Sequence, residues 1–161
     1  MPELIPPAVH LHQAWLEAHA EWGPGAHDDG FGLGPADEVG TPAGFAAWLT
    51  RLSQDHCTYR WIIESDRVLG GTALRHGDSD YVRWAGHLGY GIRPSARGRG
   101  LGAWALARML DEARGLGLER VLAVCAPGNV ASMRTIERGG GAFEGIGETP
   151  FGPARRYWFE L

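Results

Sequence analysis

The stretch Arg97-Gly98-Arg99-Gly100-Leu101-Gly102 follows the apolar run 88–92 and precedes a helical pattern over 103–114. Glycines at alternate positions let successive backbone N–H groups turn toward one side of the chain. The first turn of the following helix adds unpaired donors and the positive end of its dipole. The two arginines add charge, and a guanidinium fork suits phosphate oxygens. The stretch therefore predicts a strand, a phosphate-binding loop and a helix in that order.

Two common glycine-rich nucleotide motifs do not fit this stretch. The Walker loop ends in Gly-Lys-Ser/Thr, whereas Gly102 is followed here by Ala103 and Trp104, so the lysine and hydroxyl that serve a magnesium nucleotide are missing. The dinucleotide fingerprint needs G-x-G-x-x-G spacing, and the glycines here alternate. The first motif is excluded and the second is disfavoured.

The pattern Arg-x-x-Gly-x-Gly at positions 97, 100 and 102 resembles the GNAT superfamily of acyl-coenzyme A-dependent N-acyltransferases. The resemblance covers residues 86–145: a strand, the motif, a long helix, a strand over 120–125, a short helix opened by Asn129, and the glycine-rich run 139–143 follow the family's order. Within the superfamily, the chain looks like a bacterial subgroup of predicted acetyltransferases.

The resemblance implies a three-layer α/β fold with a mixed, mostly antiparallel central sheet, helices on both faces and two central strands that splay apart. It also implies acetyl-CoA or coenzyme A as cosubstrate, with the pyrophosphate on the loop amides and the pantetheine arm between the splayed strands. The family's cofactor contacts carry over to these residues: Ile92, Arg97, Gly98, Arg99, Gly100, Leu101, Gly102, Ala103, Asn129 and Ser132.

Direct acyl transfer to an amine needs a neutral amine, a polarised carbonyl and a proton for the leaving thiolate, but no covalent nucleophile. His87 is the first candidate for the general base because it precedes the loop on the same strand, and His76 and Glu64 are the second and third. Each also has a structural alternative: the histidine side chain can complete a strand hydrogen bond, and a glutamate beside a hairpin turn is usually a solvated charge.

The general acid is less evident, because the family often carries a tyrosine seven residues after the asparagine that matches Asn129, and this chain has Ile136 there. Ser132 could hydrogen-bond the thiol, and Tyr90 or Tyr157 could act from neighbouring strands. Alternatively, water supplies the proton and no dedicated acid exists.

Composition bounds the remaining possibilities. The chain has 161 residues, 44% of them hydrophobic, which predicts one domain over residues 1–161 with a substantial core. Fifteen basic and nineteen acidic residues give a net charge of −4, so nucleic acid is not expected as a partner. No apolar run reaches membrane-spanning length and no signal segment is recognised, which predicts a cytoplasmic protein. Cys57 and Cys125 lack metal-ligand spacing, so no metal is expected.

Periodicity and turn residues predict the order of elements along the chain. A glycine- and acid-rich loop over 25–40 is a candidate lid, and an exposed final strand over 155–161 could pair across a homodimer. The predicted helices are 9–22, 43–52, 100–115 and 129–138, and the predicted strands are 58–64, 68–75, 84–92, 120–125 and 155–161, with a polar connection over 76–81. The chain ends either in that single final strand or in a hairpin.

The leading hypothesis is an acetyl-CoA-dependent N-acetyltransferase that acts directly on the primary amine of a small molecule. Two alternatives stay open. The same fold could use another donor, namely a longer acyl-CoA, an acyl carrier protein or an aminoacyl-tRNA, or the chain could be a catalytically silent module that senses acyl-CoA.

Overall fold

The computed structural model describes residues 1–23 and 30–161 as an α/β fold. Seven strands form one mixed sheet in the order β1-β2-β3-β4-β5-β7-β6, which confirms the predicted fold class. The strands are β1 (Glu3–Ile5), β2 (Cys57–Glu64), β3 (Arg67–Arg75), β4 (Leu88–Ile92), β5 (Arg120–Cys125), β6 (Ala142–Thr149) and β7 (Gly152–Glu160). The helices are α1 (His12–Trp22), α2 (Pro42–Gln54), α3 (Asp80–Ala85), α4 (Leu101–Gly115) and α5 (Val130–Arg138), with 3-10 turns at Val9–Leu11 and Pro94–Ala96.

Strand pairing makes the sheet mixed. The pairs β1/β2, β5/β7 and β6/β7 are antiparallel, whereas β4 and β5 are parallel, with Leu88 opposite Ala123. β3 and β4 are also neighbours in the sheet. Directly after β4, the Arg93 N–H donates to the Leu69 carbonyl of β3 at 2.8 Å.

Residue contacts group the chain into two compact units. The first comprises Met1–Ala73 and Tyr90–Leu101, and the second comprises Leu74–Gly89 and Gly102–Leu161. Neither unit is one continuous stretch, because the chain changes unit within β3, within β4 and at the start of α4. The single domain expected over 1–161 stays a prediction.

The first unit has an aromatic core built from the helical spacing seen in the sequence. The Trp15 ring of α1 lies 4.8 Å from the Trp48 ring of α2, and Trp48 lies 6.0 Å from Trp61 of β2. All three side chains are at most 1% exposed. Burial of several large rings in one cluster removes a large apolar area from water and stabilises this unit.

The predicted lid falls partly outside the described residues, which omit 24–29. Residues 30–40 contain no helix or strand and are fixed to this core. Phe31 is 1% exposed, and the Asp37 carboxylate accepts hydrogen bonds from Arg51 of α2 at 3.2 and 2.6 Å. The described part of the loop is therefore anchored to α2.

The strand predicted over 84–92 is wrong in its first half, and the end of the polar connection predicted over 76–81 is helical. α3 spans Asp80–Ala85, with the Ser79 hydroxyl accepting from the Val82 N–H at 3.2 Å as an N-cap. Gly86, with φ of +85°, ends that helix, and β4 starts only at Leu88. Six residues are too few for helical periodicity to outweigh the β-forming Tyr and Trp in the stretch.

The final strand is not an exposed edge, which corrects the basis of the homodimer prediction. β7 pairs with β5 on one side and β6 on the other, so its backbone groups are used within the chain. The structure has the hairpin that the sequence allowed as the alternative to a single final strand, and the first strand of that hairpin is β6. Its start beside the glycine run 139–141 and its bulge between Phe143 and Gly145 obscure the alternation that marks a strand.

Candidate functional site

The loop 97–100 has the backbone conformation that the sequence predicted. Gly98 and Gly100 have φ of +81° and +77°, a region that favours glycine, and α4 begins at the next residue, Leu101. A Cβ placed on either glycine would meet nothing within 4 Å. The first turn of a 15-residue helix thus follows a glycine loop with open space beside it, which is a suitable setting for an anion. We call residues 97–102 the cradle.

The arginine side chains of the cradle both contact protein acceptors. Arg97 Nε donates to the Ile92 carbonyl at 2.9 Å, which turns its side chain back toward the end of β4. Arg99 Nη2 lies 2.8 and 3.1 Å from the two carboxylate oxygens of Glu64. Arg99 therefore shares its positive charge with Glu64, which lowers what that charge can contribute to a bound phosphate.

Glu64, the third predicted base, is ionised and ion-paired. The hydrogen bond from Arg99 is the largest cause that lowers its pKa below the ordinary value. A carboxylate with a lowered pKa that is already bound to a guanidinium is a weak proton acceptor. The geometry therefore makes it a partner of the cradle rather than a strong base.

Arg93, which the sequence analysis did not single out, is a buried cation between β4 and the cradle. Its side chain is 3% exposed and makes ion pairs with Glu21 at 2.8 Å and Glu17 at 3.3 Å, both on α1. Its Nη1 donates to the Val68 carbonyl at 3.2 Å. The signal in the sequence is only an arginine after an apolar strand, and its acidic partners lie more than 70 residues away along the chain.

In the second unit, His87 is tied to β5 by ring and main chain. The ring Nδ1 accepts from the main-chain N–H of Leu122 at 2.8 Å, and the main-chain N–H of His87 donates to the Leu122 carbonyl at 2.8 Å. Burial lowers the pKa of the ring, while a hydrogen bond with the Gly77 backbone acts in the opposite direction. Since Nδ1 accepts a hydrogen bond, the neutral ring carries its proton on the other nitrogen, Nε2. In this geometry the lone pair that a general base needs is already occupied.

The other predicted catalytic residues lie in different surroundings. His76 directly follows β3 in the second unit and is half-buried. Tyr90 belongs to β4 in the first unit and is also half-buried. Tyr157, which the sequence offered as a substitute acid, is completely buried, and its hydroxyl accepts from Arg155 Nε at 2.9 Å.

Asn129 and Ser132 form the N-terminus of α5. The Asn129 Oδ1 accepts from the Ser132 N–H at 3.1 Å, so the predicted cap is present. The Ser132 side chain hydrogen-bonds Cys125 at the end of β5; this bond lowers the pKa of the thiol, but burial raises it more. Ile136, at the position where the family often has tyrosine, is 1% exposed. Its apolar side chain packs in the core of the second unit.

Over 1–23 and 30–161, no three His, Cys, Asp or Glu side chains are grouped so that they could hold a metal ion. No helix within those ranges combines the length and the apolar character needed to cross a membrane.

Comparison with known proteins identifies the family. The model of the acetyltransferase (GNAT) domain family matches residues 9–142, which is most of the chain. A search of curated proteins found no match. Among solved structures, RimJ of Mycobacterium smegmatis in complex with CoA-disulfide has a TM-score of 0.78 at 17% identity, covering 99% of this chain and 82% of that one.

Two other structures show the same fold. The ribosomal-protein-S5-alanine acetyltransferase of Vibrio fischeri has a TM-score of 0.75 at 15% identity, covering 99% of this chain and 92% of that one. The acetyltransferase yncA of Salmonella typhimurium, solved with acetyl-CoA, has a TM-score of 0.67 at 20% identity, covering 99% and 94%. The chain belongs to the GNAT acetyltransferase domain family.

Proposed function

We propose that this protein is an acetyl-CoA-dependent N-acetyltransferase that transfers the acetyl group directly to a primary amine. The observation that carries the proposal is the cradle: Gly98 and Gly100 in left-handed backbone conformation, with open space beside them, at the N-terminus of α4. Its Arg-x-x-Gly-x-Gly sequence lies inside the stretch that matches the acetyltransferase family.

The cradle suits the pyrophosphate of coenzyme A. Backbone N–H groups of residues 98–103 would donate to the phosphate oxygens, and the dipole of α4 favours the negative charge. Arg97 and Arg99 would add positive charge through guanidinium N–H groups beyond those that now bind Ile92 and Glu64. Ile92, Asn129 and Ser132 are the residues proposed to contact the pantetheine arm, by resemblance to the family.

The reaction needs one proton removed and one proton supplied. The amine nitrogen attacks the thioester carbonyl carbon, the C–S bond breaks, the amine loses a proton and the thiolate gains one. The base stays a proposal among three residues, His87, His76 and Glu64, of which His87 Nδ1 and the Glu64 carboxylate accept hydrogen bonds. Tyr90, Ser132 or water remain the proposed sources of the proton for the thiolate.

The proposed acceptor is a small primary amine, such as an amino acid derivative, a polyamine or an antibiotic. The names of several proteins with the same fold refer to ribosomal-protein acetylation, which adds the α-amine of a polypeptide as a second acceptor to test. A panel should therefore include small amines beside short peptides with free N-terminal alanine or serine. Acetylation of small amines alone, of peptides alone or of both would assign the acceptor class.

An acyl-CoA-binding protein without activity is the second candidate function. It is favoured by Ile136, whose buried apolar side chain occupies the position where the family often has a tyrosine that protonates the thiolate. Thiol release from acetyl-CoA that depends on added amine would exclude it. Binding without turnover would support it or one of the alternative donors, which the same assay can test as longer acyl-CoA thioesters, acylated carrier protein and aminoacyl-tRNA.

A further inference from the structure

The connection between β4 and the cradle is bound to α1 by carboxylates, and Glu21 makes most of these contacts. Glu21 Oε1 accepts from Arg93 Nη2 at 2.8 Å, from Arg93 Nε at 3.1 Å and from the Ser95 hydroxyl at 2.8 Å. Glu21 Oε2 accepts from the Ser95 main-chain N–H at 2.7 Å. One side chain thus binds donors on both sides of Pro94, and the hydrogen bond from Arg93 is the largest cause that lowers its pKa to about 2.

Burial of Arg93 makes this contact costly to break. The guanidinium is 3% exposed, so loss of its carboxylate partner would leave a charge that water reaches poorly. Glu17 contacts the same guanidinium at 3.3 Å, but its side chain is 58% exposed, and the carboxylate that binds Ser95 is that of Glu21. The two glutamates on α1 therefore share Arg93, and the contact to Ser95 distinguishes them.

The fastened segment runs directly into the cradle. The Ala96 N–H donates to the Arg93 carbonyl at 2.9 Å and the Arg97 N–H to the Pro94 carbonyl at 3.3 Å, which closes the 3-10 turn Pro94–Ala96. Gly98 follows that turn after a single residue. The direction of the cradle's N–H groups hence depends on how this turn is oriented, and donors fixed in advance bind an anion more tightly than donors that must be ordered on binding.

We propose that Glu21 is a positioning residue for the cradle: through Arg93 and Ser95 it orients the backbone N–H groups that bind the cofactor's phosphates, without touching the cofactor itself. The inference rests on the proposed function, because it assumes that coenzyme A binds at the cradle. It assigns to α1 a part in cofactor affinity that neither the glycine motif nor the family match supplies.

The test compares Glu21→Gln with Glu17→Gln. The glutamine keeps the size of the side chain but removes its charge and one acceptor oxygen. We expect the Kd of coenzyme A by calorimetry, and the KM for acetyl-CoA, to rise about tenfold in Glu21→Gln, with kcat at saturating acetyl-CoA within about twofold of the wild type. In Glu17→Gln both constants should stay within about twofold. All titrations are made at a temperature where each variant is shown to be folded.

Two further variants keep the test decisive. Glu21→Asp retains the charge and should recover part of the affinity for coenzyme A. If the role of Glu21 were only to stabilise the fold, the loss of affinity would instead follow the fall in unfolding temperature across the variants. If Glu21→Gln does not fold, Ser95→Ala removes one donor while it leaves the Arg93 ion pair, and its Kd should rise about twofold to fivefold. A folded Glu21→Gln with wild-type affinity, or an unchanged Ser95→Ala where it replaces that variant, would overturn the positioning role. Failure of the wild type to bind coenzyme A would instead overturn the proposed function.

Discussion

Replacement of Gly100 by aspartate should abolish most coenzyme A binding and leave the fold intact. A Cβ at this position has open space, so the folded protein loses only the cost of φ +77° in a residue other than glycine, about 1 kcal/mol. That corresponds to a fall in Tm of roughly 2–4 °C. The new carboxylate, at about 4 Å from a phosphate charge, repels it by about 1 kcal/mol in water and about 4 kcal/mol at an effective dielectric constant near 20. Affinity should therefore fall about fivefold to a thousandfold.

Gly117→Asp is the matched control for this substitution. Gly117 follows the C-terminus of α4, has φ of +80° and likewise has nothing within 4 Å of an added Cβ. Both variants are titrated with coenzyme A by calorimetry and unfolded by heat. We expect a similar loss of Tm in both and a loss of affinity in Gly100→Asp alone. Equal affinity in Gly100→Asp and the wild type would refute the assignment of the cradle.

Three other predictions concern side chains around the cradle and in the second unit. Glu64→Gln should release Arg99 and tighten coenzyme A binding about twofold to fivefold in calorimetry; unchanged or weaker binding would show that Arg99 does not reach the cofactor. His87→Ala should lower the free energy of unfolding by about 1–3 kcal/mol, because the Leu122 N–H loses its acceptor. His87→Asn should keep the stability and the turnover of the wild type. If both variants alter the pH–rate profile equally, His87 is the base after all. The pKa of Glu21 in the folded protein lies below the ordinary value of 4.5, so its stabilising effect is complete above pH 4.5 and lost as the pH falls toward 2. The free energy of unfolding in urea, measured between pH 5 and 2.5, should therefore depend less on pH in Glu21→Gln than in the wild type. The same slope of unfolding free energy against pH in both proteins would contradict this.

Local signals in the sequence were sufficient for the glycine conformation of the cradle, for α4 and for β5. Glycines at 98 and 100 permit the left-handed backbone that both adopt, and the apolar run 120–125 has the bounds that β5 has in the structure. The Asn129 cap also follows from residue type alone.

Contacts between distant residues were beyond such reasoning. Glu21 and Ser95 are 74 positions apart, and nothing in either neighbourhood identifies the other as its partner. His87 shows the same difficulty, since a histidine before a strand is compatible with a base or a tether until the Leu122 N–H is seen on its Nδ1. The order of strands, which makes β7 internal, likewise depends on pairings that no single segment encodes.

The most direct test of the account is a calorimetric titration of acetyl-CoA into the purified protein, followed in the same samples by thiol release with the panel of amines and peptides. We predict binding of one acetyl-CoA per chain and thiol release that depends on an added primary amine. Absence of coenzyme A binding would contradict the cradle assignment, and binding without amine-dependent release would contradict the proposed acetyltransferase activity.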